Sequence, residues 1–175
     1  MVTDDELMVA AGQGDRIAFA EIVNRHNAKV YRLASRFLGN RQEATDVAQD
    51  AFLRILAAAP DYRPGAAFGT YLFRVVSNLC LDALRKRRRA QGEELQDPKS
   101  GDLSAEEEFL RNERAVAVSV ALFSLPPRQR LAVLLKYYED LNYREIAEVL
   151  KTSQKGVERL LARARSALLS SLKDL

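Results

Sequence analysis

Apolar side chains recur every three or four residues along most of this chain, and no run alternates apolar with polar positions for long enough to claim a strand. This pattern predicts an all-α protein. A first short helix, "TDDELMVAAG", is opened by Thr3 and Glu6 as a capping box and stops near Gly12. A longer helix starts at Asp15 and carries Phe19, Ile22, Val23, His26, Val30, Leu33, Ala34 and Phe37 on one face, until Gly39 and Asn40 end it. From residue 41 the period resumes in Ala44, Val47, Ala48, Ala51, Phe52, Ile55 and Leu56. The stretch "PDYRPG", residues 60–65, breaks that helix, because its prolines lack donors and its glycine favours a turn. A fourth helix runs from about Ala67 through Phe68, Tyr71, Leu72, Val75, Val76, Leu79, Ala83 and Leu84. It ends in "RKRRR", residues 85–89, where the helix macrodipole favours cations.

Residues 90–104, "AQGEELQDPKSGDLS", lose the period and collect Gly, Pro, Ser and acids. We read them as a flexible acidic linker between two small helical domains, residues 1–89 and 105–175. Ser104 with Glu107 opens a further helix by the capping-box pattern, and "LPPRQR", residues 125–130, ends it and starts the next. Four helices are expected in the C-terminal domain, at about 105–124, 127–138, 143–150 and 153–172. Asn142 with Glu145 caps the third, "KTS" interrupts, and Ser153 caps the fourth. Ile146, Ala147 and Leu150 would then face Val157, Leu160 and Leu161 as the dry seam of a helix-turn-helix.

Charge adds a polyanionic partner to this picture. The formal net charge is only +3, but residues 91–108 hold seven acids against Lys99, so the remainder is near +9. In a helix-turn-helix the second helix enters the major groove, which puts Ser153 at its start and Gln154, Lys155, Glu158, Arg159, Ala162 and Arg163 on or near the outward face. Glu can accept from a cytosine amino group and Arg can pair with guanine, while Lys155 and Arg165 suit phosphates. A helical hairpin with a solvated basic face fits the same residues.

The remaining composition narrows the chemistry. With one cysteine, Cys80, and one histidine, His26, no disulfide framework or Cys/His metal cluster can be built within the chain. Both read as packing residues. No convergent nucleophile, base or phosphate-cradling glycine loop stands out, so neither an enzyme nor a cofactor or metal is expected. No apolar run approaches the ~18 residues of a membrane span, and the acidic "MVTDDEL" start lacks signal-peptide features. We expect a cytoplasmic protein without membrane insertion.

The segment "LPPRQRLAVLLKYYEDLNYREIAEVLKTSQKGVERLLARARSAL" resembles the promoter-binding region four of sigma-70 family initiation factors. The first half, from "FAEIVNRHNAKVYRLASRFLGNRQEATDVAQDAFLRIL" to "YRPGAAFGTYLFRVVSNLCLDALRKRRR", resembles their region two. Two such domains on a short linker is the layout of the extracytoplasmic-function (ECF) group. The resemblance implies core RNA polymerase and promoter DNA, with its −35 and −10 elements, as partners. It also implies an anti-sigma factor covering the polymerase-docking surface. Asp46, Gln49, Asp50, Phe52, Leu53 and Arg54 would dock on the largest polymerase subunit. Tyr62, Arg63, Phe68, Tyr71, Arg74, Asn78 and Arg85 would recognise and open the −10 element, with the 60–65 loop holding a flipped non-template base. Melted DNA calls for aromatic faces and a cationic track. Arg128, Ser153, Gln154, Lys155, Glu158, Arg159, Ala162 and Arg163 would serve the −35 element, with Arg128 and Arg130 as phosphate or partner contacts.

Each role has a plainer rival. Phe68 and Tyr71 fit a core equally well, "RKRRR" could be a solvated helix end, and the linker could be a simple tether. Tyr71 stands where the family commonly has Trp, Gly69 and Ser77 where a basic residue is frequent, and Glu158 where Lys or Arg is frequent. Lys151 replaces a turn glycine at a place where positive φ is expected. A stand-alone repressor would leave the first domain's aromatic loop unexplained. A helical adaptor would show no salt-dependent DNA contact.

Overall fold

The computed structural model describes residues 1–65, 67–92 and 113–173, and every regular element among them is helical. In chain order these are α1 (Asp4–Gly12), α2 (Arg16–Leu38), α3 (Arg41–Ala58), a 3-10 turn at Ala59–Asp61 and α4 (Phe68–Gln91). Then come α5 (Glu113–Ser124), α6 (Pro127–Tyr137), α7 (Tyr143–Leu150) and α8 (Gln154–Ser171). The fourth helix runs two residues past its expected end, to Gln91, before Gly92 at φ 66°. The Ser104–Glu107 capping box and most of the linker lie outside the described residues.

The helix ends are set by side chains satisfying backbone donors that the first turn leaves free. Thr3 and Glu6 form a reciprocal capping box on α1, and Asn142 and Glu145 form another on α7. Asp15 accepts from the Ile17 and Ala18 amides, Asn40 from Glu43 and Ser153 from Gly156. Gly39 closes α2 in the left-handed conformation at φ 64°.

In the N-terminal half α1 lies on α2, α2 on α3, and α4 on both α2 and α3. Their facing surfaces bury Met8, Ile22, Val30, Leu33, Phe37, Ala51, Ile55, Leu72 and Val76. In the C-terminal half α8 crosses α6 and α7, and Leu131, Leu134, Ile146, Val157 and Ala164 close that core. The expected seam is present, with Leu160 packed at its edge.

The two halves also touch: α7 packs on α4, α6 packs on α2, and their apolar cores are continuous. With α2, α3 and α7 as neighbours, α4 buries a wide arc that takes in Thr70, Phe73, Ser77 and Leu84 as well as Leu72, Val76 and Leu79. Arg36 stacks 4.3 Å from the Tyr138 ring centroid. Burial raises the nearby Glu139 carboxyl, against the pull of Lys29, Arg36 and Arg32 on α2.

Arg130 corrects an expectation. Its side chain is not on the surface but is buried between the halves. Its Nη1 donates to the Phe37 carbonyl at 2.7 Å, Nε to Leu122 at 3.0 Å, and Nη2 to Phe123 at 2.6 Å and Leu125 at 3.3 Å. Burial, with Arg87 and Arg88 nearby, pulls its guanidinium down to about 10, which still leaves it charged at neutral pH. Replacing it strands up to four carbonyls in a dry setting, so Arg130→Ala is expected to cost about 2–4 kcal/mol in urea unfolding. Arg128→Ala, at an exposed position, should cost under about 1 kcal/mol. Equal, small losses at both would contradict the assignment of Arg130.

Lys151 adopts φ 49°, ψ 56° at the α7 C-cap, the left-handed conformation expected there. A Cβ in that region costs roughly 1–2 kcal/mol, partly offset by the greater unfolded-state freedom of glycine. Lys151→Gly should therefore stabilise the protein by about 0.5–1 kcal/mol in the same assay, and a loss of stability would show that the lysine side chain contributes more than its strain.

Candidate nucleic-acid interface

Three exposed surfaces carry the residues singled out from the sequence. On α3, Asp46, Gln49, Asp50, Leu53 and Arg54 face outward, whereas Phe52 turns in and is buried. Ala51, Phe52 and Ile55 fill the buried arc of α3, and Leu53 falls outside it. Leu53 is left 63% exposed, and Leu56 is exposed beside it. Asp46, Asp50 and Arg54 also line a cleft of about 530 Å³ between α3 and α4, opposite Asp82, Arg85, Lys86 and Arg89. Arg87 closes one side of it, bonding Glu43 at 3.0 Å and the Leu38 carbonyl at 3.1 Å. The α3 face thus presents Leu53 and Leu56 among side chains of mixed charge.

The second surface is a stripe on α4. Tyr71, Arg74, Asn78 and Arg85 recur at helical spacing on the side left open by α2, α3 and α7, with Tyr62 and Arg63 at its N-terminal end. Arg74 lies 5.7 Å from the Tyr71 ring centroid, and Arg85 pairs with Asp82 at 2.9 Å. Phe68 departs from the expectation of a stacking platform. It is only 3% exposed, and its ring sits 6.3 Å from Tyr62, 6.2 Å from Tyr71 and 5.2 Å from His26. Phe68 is therefore the base of an aromatic cluster whose half-buried upper members are Tyr62 and Tyr71. Ser77 is buried on α4, and its hydroxyl has no hydrogen-bond partner among the described residues. Gly69 meets open space around its Cβ position.

The third surface is the outward face of α8. Ser153, Gln154, Lys155, Glu158, Arg159, Ala162 and Arg163 are all exposed, while Val157, Leu161 and Ala164 hold the helix to α6 and α7. Each large polar side chain there is free to extend from the surface. Arg165 is exposed too, at the rim of an apolar cleft formed with Val133, Tyr137 and Leu168. Arg128 anchors the turn from behind, its Nη2 donating to the Leu150 carbonyl at 2.7 Å near the end of α7.

The two residues read as packing have different settings. Cys80 is buried, and burial pushes its thiol well above the usual range, so it holds its proton. His26 has a polar partner that helical periodicity did not anticipate: its Nε2 lies 2.8 Å from Asp4 Oδ2, and Arg25 Nη1 donates to the other oxygen at 3.1 Å. The acidic run at the start of α1 was the available signal. Its nearness to α2 is a long-range fact that no local pattern contains. No described helix is long and apolar enough to cross a membrane.

Comparison with known proteins places both halves of the chain in one family. Residues 22–90 match the Sigma-70 region 2 family and residues 115–168 match Sigma-70, region 4. The ECF RNA polymerase sigma factor SigW of Bacillus subtilis is 31% identical over 174 residues, covering 93% of this chain and 93% of the relative. SigM of Mycobacterium tuberculosis, also an ECF sigma factor, is 33% identical, covering 95% of this chain and 83% of its own. CnrH, solved in complex with the cytosolic domain of CnrY, superposes with a TM-score of 0.75 at 28% identity, over 98% of this chain and 97% of that one. The sigma factor RpoE of Bartonella quintana, solved with the anti-sigma factor NepR, shares the fold with a TM-score of 0.68 at 20% identity, covering 89% of this chain and 96% of that one. With both regions matched in order and relatives aligned over nearly its full length, the chain belongs to the ECF RNA polymerase sigma factors of the sigma-70 family.

Proposed function

We propose that this chain is a dissociable initiation factor that joins core RNA polymerase through the exposed α3 face and directs it to promoters. In this reading the outward stripe of α8 reads the −35 element, and the α4 stripe with the 60–65 loop recognises and opens the −10 element. The observation that carries it is the separation of roles within α8: its inward residues Val157, Leu161 and Ala164 are buried while its polar residues all point out. Such a helix can enter a groove without disturbing its own core. The mixed-charge, apolar-centred α3 face is the corresponding support for a protein partner. The protein carries out no reaction of its own and works in the cytoplasm, where polymerase and promoter DNA are.

The buried position of Phe68 leaves base stacking to Tyr62 and Tyr71, so the −10 contact has two half-exposed rings and the cations Arg63, Arg74 and Arg85. An anti-sigma factor, by analogy with the relatives solved in complex with one, would hold the protein inactive by covering the α3 face.

In reconstituted transcription, Arg159→Ala or Arg163→Ala is expected to cost about 1–3 kcal/mol of −35-dependent promoter binding, the size of a lost bidentate base contact, and to leave polymerase affinity intact. Asp50→Ala should weaken association with core polymerase and leave −35 discrimination unchanged. Interchanged phenotypes would refute the assignment of the two surfaces.

A further inference from the structure

Helix α1 lies wholly ahead of the segment that matches region two, and its residues have no role in the reading given above. Its first turn carries three successive acids, Asp4, Asp5 and Glu6, whose negative charge suits a helix N-terminus. They are put to three different uses. Glu6 bonds back to the Thr3 amide at 2.7 Å and completes the cap. Asp4 reaches α2, where it holds Arg25 and His26. Asp5 reaches across to the start of the −10 loop and accepts the hydroxyl hydrogen of Tyr62.

The other end of α1 meets the same segment. A Cβ at Gly12 would fall inside the contact distance of the Ala59 carbonyl and press on Pro60, so only glycine lets the helix end lie flush on the 3-10 turn. Helix α1 therefore runs along residues 59–62, touching them through Gly12 at one end and through Asp5 at the other. Beyond Tyr62 the loop has little to hold it. Among the described residues, Asp5 is the one side chain outside the loop that hydrogen-bonds a loop side chain. Pro60 and Pro64 have no N–H to offer, and among the described residues the Arg63 guanidinium bonds only to the adjacent Tyr62 carbonyl, at 3.2 Å.

We propose that α1 is the positioning element of the −10 loop, with Asp5 fixing the Tyr62 ring through its hydroxyl so that the ring is already oriented when a base leaves the duplex. Tyr62 rests edge-on against Phe68, with centroids 6.3 Å apart, and 5.8 Å from Tyr71. The ring contacts alone leave it free to slide along the cluster, and the hydroxyl tie removes that freedom. Burial and the Asp5 carboxylate both push the Tyr62 phenol upward, so the hydroxyl remains a donor. Preorganising a stacking ring lowers the ordering cost that would otherwise be met during promoter opening. Asp5 is thus a positioning residue and does not itself touch DNA. Met8, Leu7 and Ala11 keep α1 seated when its first-turn contact is removed.

The proposal rests on the reading that the 60–65 loop serves the −10 strand, and the test separates the two. Holoenzyme assembled from core polymerase and the full chain is followed on a promoter fragment carrying 2-aminopurine in the −10 element, with the opening rate and core affinity measured side by side. Asp5→Ala is expected to slow opening about tenfold, the size of one lost hydrogen bond to a charged group, with core affinity unchanged. Tyr62→Phe, which removes only the hydroxyl, should give the same defect, and the double variant should be no slower than either. Asp5→Asn keeps an acceptor and should recover most of the rate. Opening at the wild-type rate in Tyr62→Phe, or additive losses in the double variant, would overturn the positioning role. Arg63→Ala and Tyr62→Ala opening at the wild-type rate would instead overturn the assignment of the loop to the −10 strand.

Discussion

The Arg130 guanidinium is the point on which the arrangement of this protein turns. A helix leaves its last carbonyls without intrahelical donors and carries partial negative charge at that end. Two such ends, those of α2 and α5, converge here, and Arg130 donates to Phe37 on one and to Leu122 and Phe123 on the other. One planar cation thus satisfies groups from both halves of the chain, between the rings of Phe37 and Phe123. The close approach depends on Gly39. Its left-handed conformation ends α2, and the Phe123 ring occupies the space a side chain would need. The desolvation cost of a buried charge is offset by four hydrogen bonds to backbone carbonyls.

This junction determines which surfaces stay open. With α2, α3 and α7 all packed on α4, the interior takes up Thr70, Phe73, Ser77 and Leu84. What remains on α4 is a narrow polar stripe, and the whole outward face of α8 is free. The orphaned Ser77 hydroxyl has a physical meaning in this frame. A basic side chain in its place would have to be desolvated, whereas serine costs only one unmade hydrogen bond. The absence of a basic residue at this position is therefore consistent with the burial of this side of α4.

Much of this was legible from local pattern. The caps at Thr3, Asn142 and Ser153, the helix start at Asp15, the stop at Gly39 and the left-handed Lys151 are each set by residues within one turn, and each is where the chain's chemistry put it. The α8 stripe followed from helical period alone. Long-range facts were not legible. Arg130 bonds to Phe37 across 93 positions, and Asp5 meets Tyr62 across 57. A charged residue on a polar-looking stretch carries no sign of what lies opposite it. Phe68 was ambiguous for the same reason, since periodicity places it on a face but does not say whether that face is covered.

The most direct test of the central claim is multi-round transcription of fragmented genomic DNA by sigma-free bacterial core polymerase, with and without this protein, followed by mapping of RNA 5′ ends. The expected result is a set of starts that appear only with the protein, each preceded by the same two elements about one and a half to two helical turns apart. An unchanged set of starts, with folded protein and active core, would contradict it.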